Sequence, residues 1–99
     1  MLTITPTAAD ILTRTRSAKG APEGYGVRFY TTTVEEDSGR ARLAFAFVDA
    51  PKENDTILDG AAIDAYVSPD VDRLIGDVTV DARQQGEEMG LVVRRAAQS

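Results

Sequence analysis

Five groups of side chains have the types and spacing to do chemistry in this chain. They are the pairs Glu35-Glu36 and Glu87-Glu88, the run Glu35-Glu36-Asp37, the Asp70-Val71-Asp72 segment and the Ser38-Gly39 step. Paired carboxylates perform acid–base work when their surroundings push their pKa values apart. Both pairs here lie in polar connections, where water holds the two acids alike. Glu35, Glu36 and Asp37 are hard oxygen ligands, but adjacent residues cannot all point inward, and the spacing fits no EF-hand loop. Asp70 is explained as a first-turn acid at a helix start. Ser38 has no base near it in sequence and no strand–turn–helix context, so no nucleophile elbow is indicated. Gly24-Tyr25-Gly26 leads into a strand rather than a helix, so it is not a dinucleotide loop. The expectation is a non-catalytic protein with no cofactor and no metal.

Composition narrows the choice further. The chain has no cysteine and no histidine in 99 residues. That removes the thiolate nucleophile, the usual zinc and iron–sulfur ligands, and the side chain that titrates unaided near neutral pH. Net charge is −5, which repels a phosphate backbone and argues against nucleic acid as a partner. No apolar run approaches the ~20 residues that span a bilayer. The Met1-Leu2-Thr3-Ile4 start lacks a secretory pattern. A single cytoplasmic domain over residues 1–99 is expected.

The elements that must position these residues follow from local chemistry. Thr5-Pro6 starts a helix, with threonine as cap and proline at the first turn. Ala8, Ile11, Leu12 and Thr15 form its apolar stripe, and the pattern stops near Ser17. Arg14, Arg16 and Lys19 gather at its end, where cations complement the helix dipole. Gly20, Pro22, Gly24 and Gly26 mark a loop. The period then changes to two. Val27, Phe29 and Thr31 take one face of a strand, and Arg28, Tyr30 and Thr32 take the other. A second strand runs from about Arg40 to Asp49, and the polar segment Val34 to Gly39 joins the two as a hairpin.

Short strands are expected at Asp55 to Leu58 and at Ala61 to Val67, with Asp59-Gly60 as a tight turn between them. Ser68-Pro69-Asp70 opens a short second helix that Gly76 closes. Val78 and Val80 lie in a fifth strand, Gln84 to Gly90 is a polar connection, and Leu91 to Arg94 is the last strand. The expected core is Val27, Phe29, Leu43, Phe45, Phe47, Ile63, Val78, Val80, Leu91 and Val93 from strands, with Ile11, Leu12, Leu74 and Ile75 from helices.

The order and spacing of several segments carry a resemblance. Gly24-Tyr25-Gly26-Val27-Arg28-Phe29 is followed by Phe45-Ala46-Phe47-Val48-Asp49-Ala50-Pro51 and Val67-Ser68-Pro69-Asp70. Leu74-Ile75-Gly76-Asp77-Val78-Thr79-Val80-Asp81 and Gly90-Leu91-Val92-Val93 come after. Together they resemble the HesB-like family, the A-type carriers of iron–sulfur cluster assembly. The resemblance implies a mainly β fold: a pseudo-barrel or sandwich with a covering N-terminal helix and one short second helix. It also implies association between copies, which is common in that family.

The family holds its cluster or iron with three cysteines, one in the loop after the first hairpin strand and two in a C-terminal C-x-C pair. In this sequence the loop reads Glu35-Glu36-Asp37-Ser38-Gly39, with Ser38 near the cysteine position, and the tail reads Ala96-Ala97-Gln98-Ser99. The family's terminal Asn-Pro is missing as well. Iron–sulfur clusters need thiolates, so the resemblance brings the fold and none of the ligands.

The functional expectation is a protein-interaction or assembly module. Glu35, Glu36, Asp37, Ser38 and Gly39 form the candidate partner-binding loop, and the outer strand face with Arg28 and Arg42 comes second. An accessory role in cluster assembly, with a partner supplying the thiolates, is the alternative. A weaker one is a small-ligand pocket with Tyr30 or Tyr66 as polar handle, against an ordinary place for each tyrosine at the core edge.

Overall fold

A computed structural model describes residues 2–34, 40–58, 63–86 and 88–95. The elements run β1 (Leu2–Ile4), α1 (Pro6–Ala18), β2 (Gly26–Val34), β3 (Arg40–Val48), β4 (Thr56–Leu58), β5 (Ala65–Val67), α2 (Pro69–Leu74), β6 (Val78–Gln85) and β7 (Glu88–Arg95). They make two sheets, one in the order β1-β6-β7 and the other in the order β3-β2-β5-β4. The expected mainly β architecture with two helices is what forms.

Both helix starts obey their local signals. The Thr5 hydroxyl accepts from the Ala8 N–H at 3.2 Å, and Pro6 occupies the first turn. Ser68 caps α2 by accepting from the Asp70 N–H at 3.4 Å. Gly76 takes φ +85° just past α2, and its N–H donates to the Val71 carbonyl. Only a residue without Cβ takes that backbone cheaply.

β2 and β3 pair antiparallel over their whole length, from Gly26 opposite Val48 to Val34 opposite Arg40. The expected hairpin is therefore present, although the 35–39 connection lies outside the described residues. So do the expected Asp59-Gly60 turn and residues 61–62 of the strand expected from Ala61 to Val67; Ile63 and Asp64 are not strand, and β5 begins only at Ala65. Val27 and Phe29 are buried on one face of β2, and Arg28 and Tyr30 take the other.

Three expectations are corrected. β1 was not anticipated: Leu2–Ile4 lies parallel to Val78–Val80 of β6. A three-residue strand has no period to read, and only tertiary pairing creates it. Second, the polar connection expected at Gln84 to Gly90 is much shorter. β6 runs on to Gln85 and β7 begins at Glu88, with Gly86 turning at φ +65°. Third, the core is displaced toward the helices and the short strands. Phe45 is 36% exposed, Val93 48% and Leu74 53%. Leu43, Phe47, Leu91 and Ile75 only flank the buried cluster, and Ile11 is half-buried. Leu2, Ala9, Ala65, Tyr66 and Val67 are buried in their place, while Ala8 of the expected α1 stripe and Val71, expected on the buried side of α2, are buried as read.

The physical reason is topological. β3 and β7 are edge strands, so among the described residues each has a neighbour on one side only. Their inward side chains are covered less than those of β2, β5 and β6. Small residues let α1 sit close: Ala8, Ala9 and Leu12 face inward, and the helix packs on β6 and β7.

Candidate functional site

The most organised polar cluster joins β2 to the loop before β4. Arg28 Nε donates to Asp55 Oδ2 at 2.8 Å, and Arg28 Nη2 donates to Asp55 Oδ1 at 3.1 Å. The Asp55 side chain is fully covered and that of Arg28 is 15% exposed. The Lys52 N–H donates to Asp55 Oδ2 at 2.9 Å, and the Asp55 N–H donates to the Lys52 carbonyl. The 51–55 turn is thus clamped on its own acid, with Asn54 in the left-handed region at φ 73°. Arg28 also lies 5.9 Å from the centre of the Tyr30 ring, within cation–π range.

The electrostatics follow from this geometry. The Arg28 hydrogen bonds hold the Asp55 carboxyl below its usual value, against the opposing effect of burial. The same bonds raise the Arg28 guanidinium above its ordinary value. The geometry thus favours the charged form of both partners. Arg28 was expected on an outer face open to partners. It is on that face, but its guanidinium is committed to Asp55. Nothing local in the sequence signals this pair, because the partners lie 27 residues apart.

A second cluster ties the first helix to the other sheet. Asp81 Oδ1 accepts from the Ala82 N–H and from the Thr5 hydroxyl, each at 2.8 Å, and Oδ2 accepts from Arg94 at 2.7 Å. The Ala82 amide first, then Thr5, lowers the Asp81 carboxyl below its usual value. Thr5 therefore caps α1 and anchors it to β6 together, helped by its N–H donating to the Val80 carbonyl.

The other sequence candidates are placed as follows. The Glu35–Gly39 loop and Glu87 lie outside the described residues. Asp70 pairs with Arg73 on the exposed side of α2. Arg14 pairs with Asp10 one turn back, and Arg16 donates to the Tyr25 carbonyl at 2.8 Å, holding the loop under the helix end. Tyr66 is buried in β5, beside Gly26. Among the described residues, no three acidic side chains gather closely enough to hold a metal ion. No described helix is long and apolar enough to cross a membrane.

Sequence reasoning did not anticipate the groove along β3. Three cavities of about 310, 200 and 390 Å³ follow one another along it. The first and second share Leu43 and Val93, and the second and third share Phe45. Val78, Val80 and Leu91 of the other sheet line the first two, and Lys19 lines the third. Neither Tyr30 nor Tyr66 lines these three, so they offer no tyrosine handle.

No protein-family model matches the chain, and no curated protein matches it. Solved structures do. SufA of Escherichia coli, described as involved in biosynthesis of iron–sulfur clusters, superposes with a TM-score of 0.74 at 24% identity. The match covers 98% of this chain and 82% of SufA. IscA, solved with a [2Fe–2S] cluster, gives 0.76 at 21% identity over 96% of this chain and 85% of its own. A protein of Aquifex aeolicus solved by NMR gives 0.64 at 14% identity, covering 96% and 91%. A cluster such as the one in IscA does not fit this chain's donors, since no thiolate or imidazole exists in it. The chain has the HesB-like fold of SufA and IscA, built from a sequence that contains no cysteine.

Proposed function

We propose that this chain is a non-catalytic cytoplasmic protein that uses the HesB-like fold as a protein-interaction or assembly module. One observation carries the reading: the fold is kept while every thiolate and imidazole is missing. Two polar clusters, Arg28 with Asp55 and Asp81 with Thr5 and Arg94, are spent on holding elements together. What such a protein can still offer is surface.

Two measurements test this. Anaerobic reconstitution with iron and sulfide should leave the purified protein without visible absorbance, and a stable stoichiometric cluster would refute the reading. Affinity capture from native lysate should recover a stoichiometric protein partner. The same capture with Glu35, Glu36 and Asp37 all changed to Ala tests the acidic loop.

The likeness to SufA, itself described as involved in iron–sulfur cluster biosynthesis, favours a second reading. In it the chain is an accessory factor whose partner supplies the thiolates. The captured partner would then carry a cysteine-ligated cluster.

A further inference from the structure

The backbone of β3 has one side without a partner among the described residues. The Val27 N–H donates to Asp64, and the Phe29 carbonyl accepts from Ser68, so these β2 residues turn their amides toward β5. Backbone groups alternate sides along a strand. Arg28, Tyr30 and Thr32 therefore bond to β3, through Ala46, Ala44 and Arg42 opposite them. The amides of Ala41, Leu43, Phe45 and Phe47 are left pointing outward along the free edge. The stretch from Ala41 to Val48 contains no proline and no acid, and Arg42 is its one charged residue, so few of the devices that close an edge strand are present.

The same four residues mark off the three cavities, at 41–43, 43–45 and 45–47. The cavities therefore recur every two residues, about 7 Å along the strand. That is the spacing of same-face side chains in any extended chain lying beside β3. Apolar walls suit apolar guests: Phe45 and Val93 stand partly exposed at the dividers. Each end of the groove carries a cation: Arg42 lines the first cavity and is engaged in an interaction of its own, whereas Lys19 lines the third and makes no ion pair among the described residues.

We propose that the free edge of β3 binds an extended peptide segment by strand addition, with alternate apolar side chains in the three cavities and a carboxylate beside Lys19. This rests on the reading of the chain as an interaction module, and names its surface and the chemistry of its partner. Main-chain bonds to Leu43, Phe45 and Phe47 supply affinity, and the cavities and Lys19 supply selectivity. A second copy paired through the same edge is the competing occupant, and sedimentation separates it from a peptide.

The probe is a fluorescein-labelled heptapeptide with leucine at three alternate positions, serine between them and two glutamates at one end. Fluorescence anisotropy should saturate with this peptide and rise less with the version ending in two lysines. Lys19→Glu should narrow or reverse that preference, by about threefold, as expected for an exposed charge pair. N-methylation of the peptide's alternate amides should abolish binding, because it blocks the ladder and leaves the side chains intact. Val93→Lys, at a half-exposed position, should abolish it too, with unchanged circular dichroism.

Three outcomes would overturn the proposal: no saturation at millimolar protein, equal binding by Val93→Lys, or sedimentation showing a dimer that Val93→Lys dissociates. If lysate capture returns the same partner with wild type and Val93→Lys, the groove is dismissed and the interaction module stands. If capture returns no partner at all, the module reading itself fails.

Discussion

Arg28 and Asp55 face each other as fork and carboxylate, with contacts of 2.8 and 3.1 Å across the outer side of β2. The pair is almost fully covered, and it fastens the 51–55 turn to the sheet. Removing one partner leaves the other buried without compensation, which costs more than the pair itself contributes. Asp55→Ala should lower unfolding free energy by about 3 kcal/mol, read from urea denaturation. Arg28→Met with Asp55→Leu should be less damaging than Asp55→Ala alone. A single variant as stable as wild type would show that the clamp is dispensable.

Acid should weaken the same clamp. Asp55 and Asp81 are both held below the ordinary aspartate value of 3.8. A carboxyl depressed in the folded state contributes stability that is complete above its unfolded pKa and lost as pH falls through the lower folded one. The urea midpoint should therefore be level above about pH 5 and fall below about pH 4. Asp55→Asn and Asp81→Asn should each flatten that fall, and an unchanged acid limb in both would contradict the assignment.

Gly26 is required by proximity. A Cβ at this position would sit 2.6 Å from the Asp64 carbonyl oxygen and 2.9 Å from the Tyr66 ring. The neighbour is backbone and cannot swing away. Gly26→Ala should cost about 2 kcal/mol or more. Gly24→Ala, with open space around it, serves as the control in the same thermal melts.

The two phenylalanines that face each other across β2 and β3 should differ. Phe29 is 1% exposed, and its ring centre lies 6.1 Å from that of Phe45. Phe29→Ala should cost about 3–5 kcal/mol. Phe45→Ala, at the open edge, should cost only about 1–2 kcal/mol. Equal losses would mean that something covers the β3 edge in solution.

Much of this protein is legible without coordinates because its signals are local. Thr5-Pro6 and Ser68-Pro69 state helix starts through hydroxyl caps and a fixed φ. The alternation of Val27 and Phe29 with Arg28 and Tyr30 assigns the two faces of β2. The absence of cysteine and histidine decides, from composition alone, that the chain supplies no thiolate or imidazole to a cluster. Tertiary structure decided the rest, because it depends on neighbours distant in sequence. Leu2–Ile4 becomes a strand only beside Val78–Val80. Arg28 becomes a clamp rather than a free cation only when the 51–55 turn brings Asp55 to it. Phe45 has the right face for the core but is left at an edge, since alternation fixes which way a side chain points and only strand order fixes what covers it.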